Sequence, residues 1–230
     1  MISLRTLGVV AVGLVVSTHA LESQDRARYR DYKLGADLAS TSVLTGVAAS
    51  EAKTIQQRPA MMQELLWRRP YQLSGTTAEA DPVQEIVFSF YSDQLSKMVI
   101  DYDRDRTAGL TDADLIDAIS TEFGPRLKPG VKTGQPAAPR LDEESGTRIA
   151  RWGDADYAVE LYRSSYASGF RLIVTSPRLE ALARTAVAQA ARLDEREAPQ
   201  REIARQKKEA DERAESEAKA RAANKAAFRP

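Results

Sequence analysis

The sequence contains no cysteine, and its single histidine, His19, lies within the first 20 residues. Imidazole is the commonest general base and a frequent metal ligand, and thiolate is a principal nucleophile and soft-metal ligand. If the N-terminal segment is removed, the remaining chain has neither. A Ser-His-Asp or Cys-His arrangement is then excluded. A Ser-Lys arrangement is not, but Lys97 and Lys128 lie near no recognisable nucleophile motif. With no cysteine there are no disulfides, so stability must come from a packed core. Net charge is also missing, since 33 basic residues balance 33 acidic ones. A neutral chain has no long-range field to gather nucleic acid or anionic lipid. The glycines are scattered and no Gly-Lys-Ser/Thr occurs, which excludes a phosphate-binding loop of that type. No apolar run reaches the length of about 20 residues that spans a membrane.

The first thing present is a leader. Arg5 precedes an apolar run from Leu7 to Val16, followed by Ser17-Thr18-His19-Ala20. A basic residue, a short apolar stretch and small residues at a cleavage point make a secretory signal peptide. Residues 1–20 are assigned to it, with cleavage after Ala20; an uncleaved anchor or a buried N-terminal helix is the competing reading. No cysteine follows the run, so a lipid anchor of the bacterial type is excluded. Cleavage removes one base, Arg5, and no acid, so 33 and 33 become 32 and 33, a net charge of −1. The expected location is therefore periplasmic or extracellular.

With 43% hydrophobic residues the chain can build a globular core. The charge is uneven, however: the last 40 or so residues carry both signs densely and few large apolar side chains. The periodicities predict an α+β fold of antiparallel hairpins and meanders with short packing helices and a long charged C-terminal helix. Residues 31–125 read as a first α+β module, 126–146 as a proline- and glycine-rich loop or linker, 147–193 as a second hairpin plus helix, and 194–230 as a charged helical or disordered extension. Leu21–Arg30 reads as polar and loose.

Within the body, Ala36–Thr45 suggests a short helix ended by Gly46. Ala52–Arg69 reads as one or two strands interrupted near Pro59, because proline cannot donate to a sheet ladder. Residues 73–82 have loop composition. Glu85–Tyr91 and Leu95–Tyr102 are β-rich runs either side of Ser92-Asp93-Gln94, with Ile86, Phe88 and Phe90 alternating on one side, which marks a hairpin. Thr111 and Asp114 form the acid variant of a capping box, and Leu115, Ile116, Ile119 and Phe123 give that helix its apolar stripe. Gly124-Pro125 ends it. Arg148–Trp152 reads as a lead-in strand to a second hairpin, Tyr157–Arg163 with Phe170–Thr175. Ser176 and Pro177 are a favoured helix-opening pair, and Leu179, Leu182, Ala183, Ala186, Val187, Ala190 and Leu193 supply an apolar face.

A weak duplication is visible. Leu34–Leu38 precedes the first strands much as Leu110–Leu115 precedes the second, and Trp67 and Trp152 stand before the two hairpins. The Leu34-Gly35 turn, the hairpin Glu85–Tyr102 and the second hairpin Tyr157–Thr175 resemble, in element order, BamE-like envelope modules, and two in tandem are similar to the fold of the β-lactamase inhibitory protein. The inhibitor's disulfides have no counterpart in this chain. The resemblance implies a binding or scaffolding role.

Asp101-Tyr102-Asp103-Arg104-Asp105 is the most suggestive cluster. Alternate aspartates followed by Thr107, Gly109 and Asp112 loosely echo a calcium loop, since hard cations need several oxygens at such spacing. Against this, Arg106 replaces the turn glycine, Arg104 is interleaved and Asp112 replaces the final glutamate. Pairing of Asp101, Asp103 and Asp105 with arginine, and with the dipole of the following helix, accounts for the same residues. No cofactor is called for. A pair of carboxylates could serve a secreted hydrolase, but with 33 acids some pair always meets the spacing. The strand aromatics read as core, with Tyr162-Arg163 and Tyr166 as the exposed members.

From Asp194 onward Ala, Glu, Lys, Arg and Gln dominate. These are strong helix formers, and Glu209–Arg213 and Glu217–Arg221 have the favourable acid-first order. Ile203 is nearly alone as a large apolar residue, so a coiled-coil seam is poor. Pro199 is expected to split this stretch from the packed helix before it. Export, absence of His and Cys and a neutral body point to a soluble, non-catalytic envelope protein that binds or scaffolds an unnamed partner, neither nucleic acid nor membrane-spanning, with the C-terminal helix available for contact. The competing readings are the carboxylate hydrolase and a calcium-stabilised module at Asp101–Asp105.

Overall fold

The computed structural model describes residues 26–70, 81–128, 146–163, 169–227 and 229. The expected leader, most of the 73–82 loop, most of the 126–146 linker and Tyr166 lie outside these residues. Among the described residues no helix is long and apolar enough to cross a membrane.

The chain enters through a two-stranded ribbon, β1 (Arg28–Tyr29) and β2 (Tyr32–Lys33). The body therefore begins before Asp31, contrary to the loose reading of Leu21–Arg30. Its anchor is Tyr29, a buried member of the main core. Helix α1 (Leu38–Thr45) follows. Asp37 caps it by accepting the Ser40 N–H at 2.6 Å, and Gly46 closes it in the left-handed conformation (φ 70°).

Next come β3 (Lys53–Gln56) and β4 (Met62–Arg68), separated by a cis Arg58–Pro59 peptide. Strands β5 (Val83–Tyr91) and β6 (Gln94–Tyr102) form the expected hairpin. Its turn, Ser92-Asp93, has φ of 45° and 64°, the pair of positive values that a type I′ connection requires. The Asp93 carboxylate also accepts the Leu38 N–H at 3.1 Å, tying the turn to α1. Helix α2 (Asp112–Phe123) has the reciprocal Thr111/Asp114 capping box. It is followed by β7 (Thr147–Gly153), β8 (Ala158–Arg163) and β9 (Phe170–Thr175).

All seven longer strands make one antiparallel sheet in the order β3-β4-β5-β6-β9-β8-β7. Each half is a helix followed by an antiparallel meander, and the last strand of one meander pairs with the last strand of the other: Met98 opposite Val174, Val99 opposite Ile173, Ile100 opposite Leu172. The two tryptophans occupy matching places. Trp67 and Trp152 are each the penultimate residue of the strand directly ahead of a hairpin, β4 before β5–β6 and β7 before β8–β9, as the sequence suggested.

Register separates the two faces of the sheet. Leu65, Phe88, Met98, Val174 and Val159 form one cross-strand row of fully buried side chains. Trp152, opposite Val159, completes it. This face packs against the ribbon and against Leu38, Leu115, Ile119 and Phe123 of the short helices. Tyr32 meets Phe88 edge to face with ring centroids 4.8 Å apart, and Trp152 Nε1 donates to Ser120 Oγ of α2 at 3.0 Å.

The opposite face takes the last element, α3 (Pro177–Ala227). Leu179, Ala183 and Ala186 are buried apart from the main core, against β5 and β6. Leu182 and Val187, expected on the same apolar face, are 42% and 50% exposed. The contact stripe is narrower than the sequence suggested because small alanines carry it. A second correction concerns Pro199, which does not split the helix: α3 runs unbroken for 51 residues. An internal proline costs about 3 kcal/mol through a lost hydrogen bond and a clash with the preceding turn. Strong helix formers on both sides offset this. Arg201 adds a local brace, its guanidinium donating to the Asp194 carboxylate at 2.7 Å. From Asp194 to Ala227 the extension is helical.

Candidate functional site

Where the two halves meet, the core face does not close completely. A cleft of about 980 Å³ opens between the ribbon and α2, with Tyr102 of β6 and Leu172 of β9 in its lining. It therefore sits at the β6–β9 seam. This volume lies at the upper end of the range typical of small-molecule sites.

Two devices hold its walls. On the ribbon side Arg30 adopts φ 53°, and its guanidinium makes a bidentate pair with Asp81 at 2.7 and 2.8 Å. That guanidinium holds the Asp81 carboxyl below the usual range, and it lies 5.3 Å from the Tyr29 ring centroid. Behind it, Tyr29 and Tyr102 hydrogen-bond to each other, and burial raises both phenols. They stay protonated at any physiological pH. On the other side the capping box fixes the start of α2, so that Leu115, Ile119 and Phe123 turn inward while Ala118 and Glu122 are exposed beside them.

The mouth carries both signs of charge. Arg26, Arg28 and Arg30 border it together with Asp31 and Glu122. Arg30 is committed to Asp81. The Tyr157 phenol, near Arg26, donates to the Phe123 carbonyl at 3.2 Å. The Arg26 guanidinium lies against Gly124, two residues past Glu122. Asp31 and Glu122 are both exposed to water.

Asp101, Asp103 and Asp105 do not converge. Asp101 is buried at the end of β6 and accepts two hydrogen bonds from Arg171, directly opposite on β9, at 2.6 and 2.9 Å. Asp103 pairs with Arg69, which lowers its pKa, and its other oxygen accepts the N–H of Asp105 at 2.9 Å. Asp105 itself is exposed. Among the described residues no group of three or more His, Cys, Asp or Glu is placed to hold a metal ion.

The aromatics Phe88, Phe90, Tyr102, Tyr157 and Phe170 are core. Tyr162, expected at an exposed hairpin tip, is only 1% exposed, with its hydroxyl donating to Glu160 at 3.0 Å. Alternation explains the difference: Val159 and Leu161 take the main core face, which turns Tyr162 to the other face of the sheet, where it is also covered. The cleft was not anticipated. Its walls come from a ribbon of two-residue strands, a length at which alternation carries no signal.

The second candidate surface is the free part of α3. Bidentate pairing of Arg58 with Glu197 (3.0 and 3.3 Å) ties it to the β3–β4 connection. From residue 198 to 227 every described position is exposed. At a rise of 1.5 Å per residue that is a rod of about 45 Å. Ion pairs lace it at Glu202–Arg205, Arg205–Glu209, Lys208–Glu212 and Glu215–Lys219. No family model matches the chain, and neither does any curated protein or solved structure.

Proposed function

We propose that the protein is an exported, non-catalytic component of the cell envelope that binds or organises a partner, with the 198–227 rod as its contact arm. The observation that carries this reading is the arm itself. A solvated helix of such length gains nothing from burial, and each exposed ion pair along it is worth only about 0.3–0.5 kcal/mol. It therefore contributes little to the stability of the body from which it projects. Its use is in reach. The leader composition supports export, and the lack of His and Cys beyond residue 20 supports binding over catalysis.

The test is crosslinking of the full chain in its native compartment against a version ending at Leu193, which keeps the packed stripe of α3. The arm-less chain should lose at least one partner. Identical partner sets from the two chains would remove the contact arm from the proposal. Recovery of a mature N-terminus near Leu21 from the exported fraction checks the compartment.

A further inference from the structure

The cleft at the seam offers a chemical selection that the arm does not. Its interior is apolar: Tyr102, Leu115, Ile119, Phe123 and Leu172 are all less than a tenth exposed yet line the opening. Its mouth is not. The Arg26 guanidinium lies against Gly124 at the end of α2, and Glu122 is an exposed acid on the same rim, one turn of α2 after Ala118. A ligand with a purely anionic head would meet Glu122, and a purely cationic one would meet Arg26. A head with both signs satisfies the two sides together, while an apolar tail replaces water over the floor.

From this we infer that the cleft holds a single-chain amphiphile whose head group carries both an anionic oxygen group and an ammonium, the anion toward Arg26 and the ammonium toward Glu122. This rests on the binding role proposed above but not on the arm. The charge-assisted contacts each select the head by about tenfold in affinity.

Titration calorimetry of the purified protein with lysophosphatidylethanolamine, below its micelle concentration, tests it. The comparison set is a fatty acid, an alkylammonium and an alkyl glucoside of matched chain length. One equivalent of the zwitterion should bind, about tenfold or more tighter than the other three. Arg26→Gln and Glu122→Gln, both at exposed positions, should each cost about tenfold for the zwitterion and little for the glucoside. Ala118→Trp, which fills the opening from an exposed helix position, should abolish binding, with circular dichroism showing each variant folded. Equal affinity for all four heads, preference for a singly charged head, absence of saturable binding, or full binding by Ala118→Trp would each overturn the inference. The chain ending at Leu193 keeps the cleft, so loss of the arm's partners leaves this result unchanged and the two proposals fail separately.

Discussion

Individual side chains divide sharply by face. Phe88 is fully buried between the sheet and Tyr32, whereas Val43 of α1 is 84% exposed. Truncating the first leaves a cavity in a close-packed layer. Phe88→Ala should lower unfolding free energy by about 3–5 kcal/mol, and Val43→Ala should change it by less than about 0.5 kcal/mol, as read by denaturant titration. Charge is distributed by the same logic. Asp81 and Asp103 are held by Arg30 and Arg69 with their carboxyls below the ordinary range. A lowered folded-state pKa gives stability that is present above the unfolded value and lost as pH falls through the folded one. The melting temperature should therefore hold from neutral pH down to about 5 and drop below about 4. Asp81→Asn and Asp103→Asn should flatten that acid limb, and an unaltered limb in both variants would contradict the assignment. Because Asp101 is turned to Arg171 and Asp103 to Arg69, millimolar calcium should leave the melting temperature unchanged.

At the scale of elements, local chemistry was legible and long-range pairing was not. The β5–β6 hairpin, the Thr111/Asp114 box and the Ser176-Pro177 start are each written in a few neighbouring residues, and each forms where its signature stands. The β6–β9 seam joins residues about 70 positions apart, and nothing local marks it. The cleft shares that origin, since its floor is drawn from both sides of the seam. Pro199 misled for the opposite reason: a strong local rule was outweighed by the helix on either side. Its cost should still be visible in dynamics. Hydrogen exchange should be fastest around residues 195–203 within α3, and Pro199→Ala should slow it there without moving the melting temperature of the body. Gly153 is a stricter local demand. It has φ 125°, and a Cβ there would overlap the Tyr157 carbonyl oxygen. Gly153→Ala must shift the backbone of the β7–β8 turn, and should cost about 2 kcal/mol or more in denaturant unfolding.

The molecule as a whole is a folded base with a rod. Removing residues 194–230 should leave the cooperative transition of the base within a degree or two, because the only described side-chain tie lost is the exposed Arg58–Glu197 pair. Small-angle scattering should show the longest dimension shrink by tens of ångströms, in line with a helix rise of 1.5 Å per residue. The seam carries a separate consequence for assembly. β6 and β9 pair in the middle of the sheet, yet each is the final strand of its own meander, and residues 129–145 stand in the sequence between α2 and β7. A cut in that segment would leave two fragments, each with a long apolar strand edge that only the other fully satisfies. Mixed together they should reassemble into one particle; kept apart, each should aggregate. The same complementarity should let two copies exchange these parts at high concentration, which size-exclusion chromatography would read as a dimer peak.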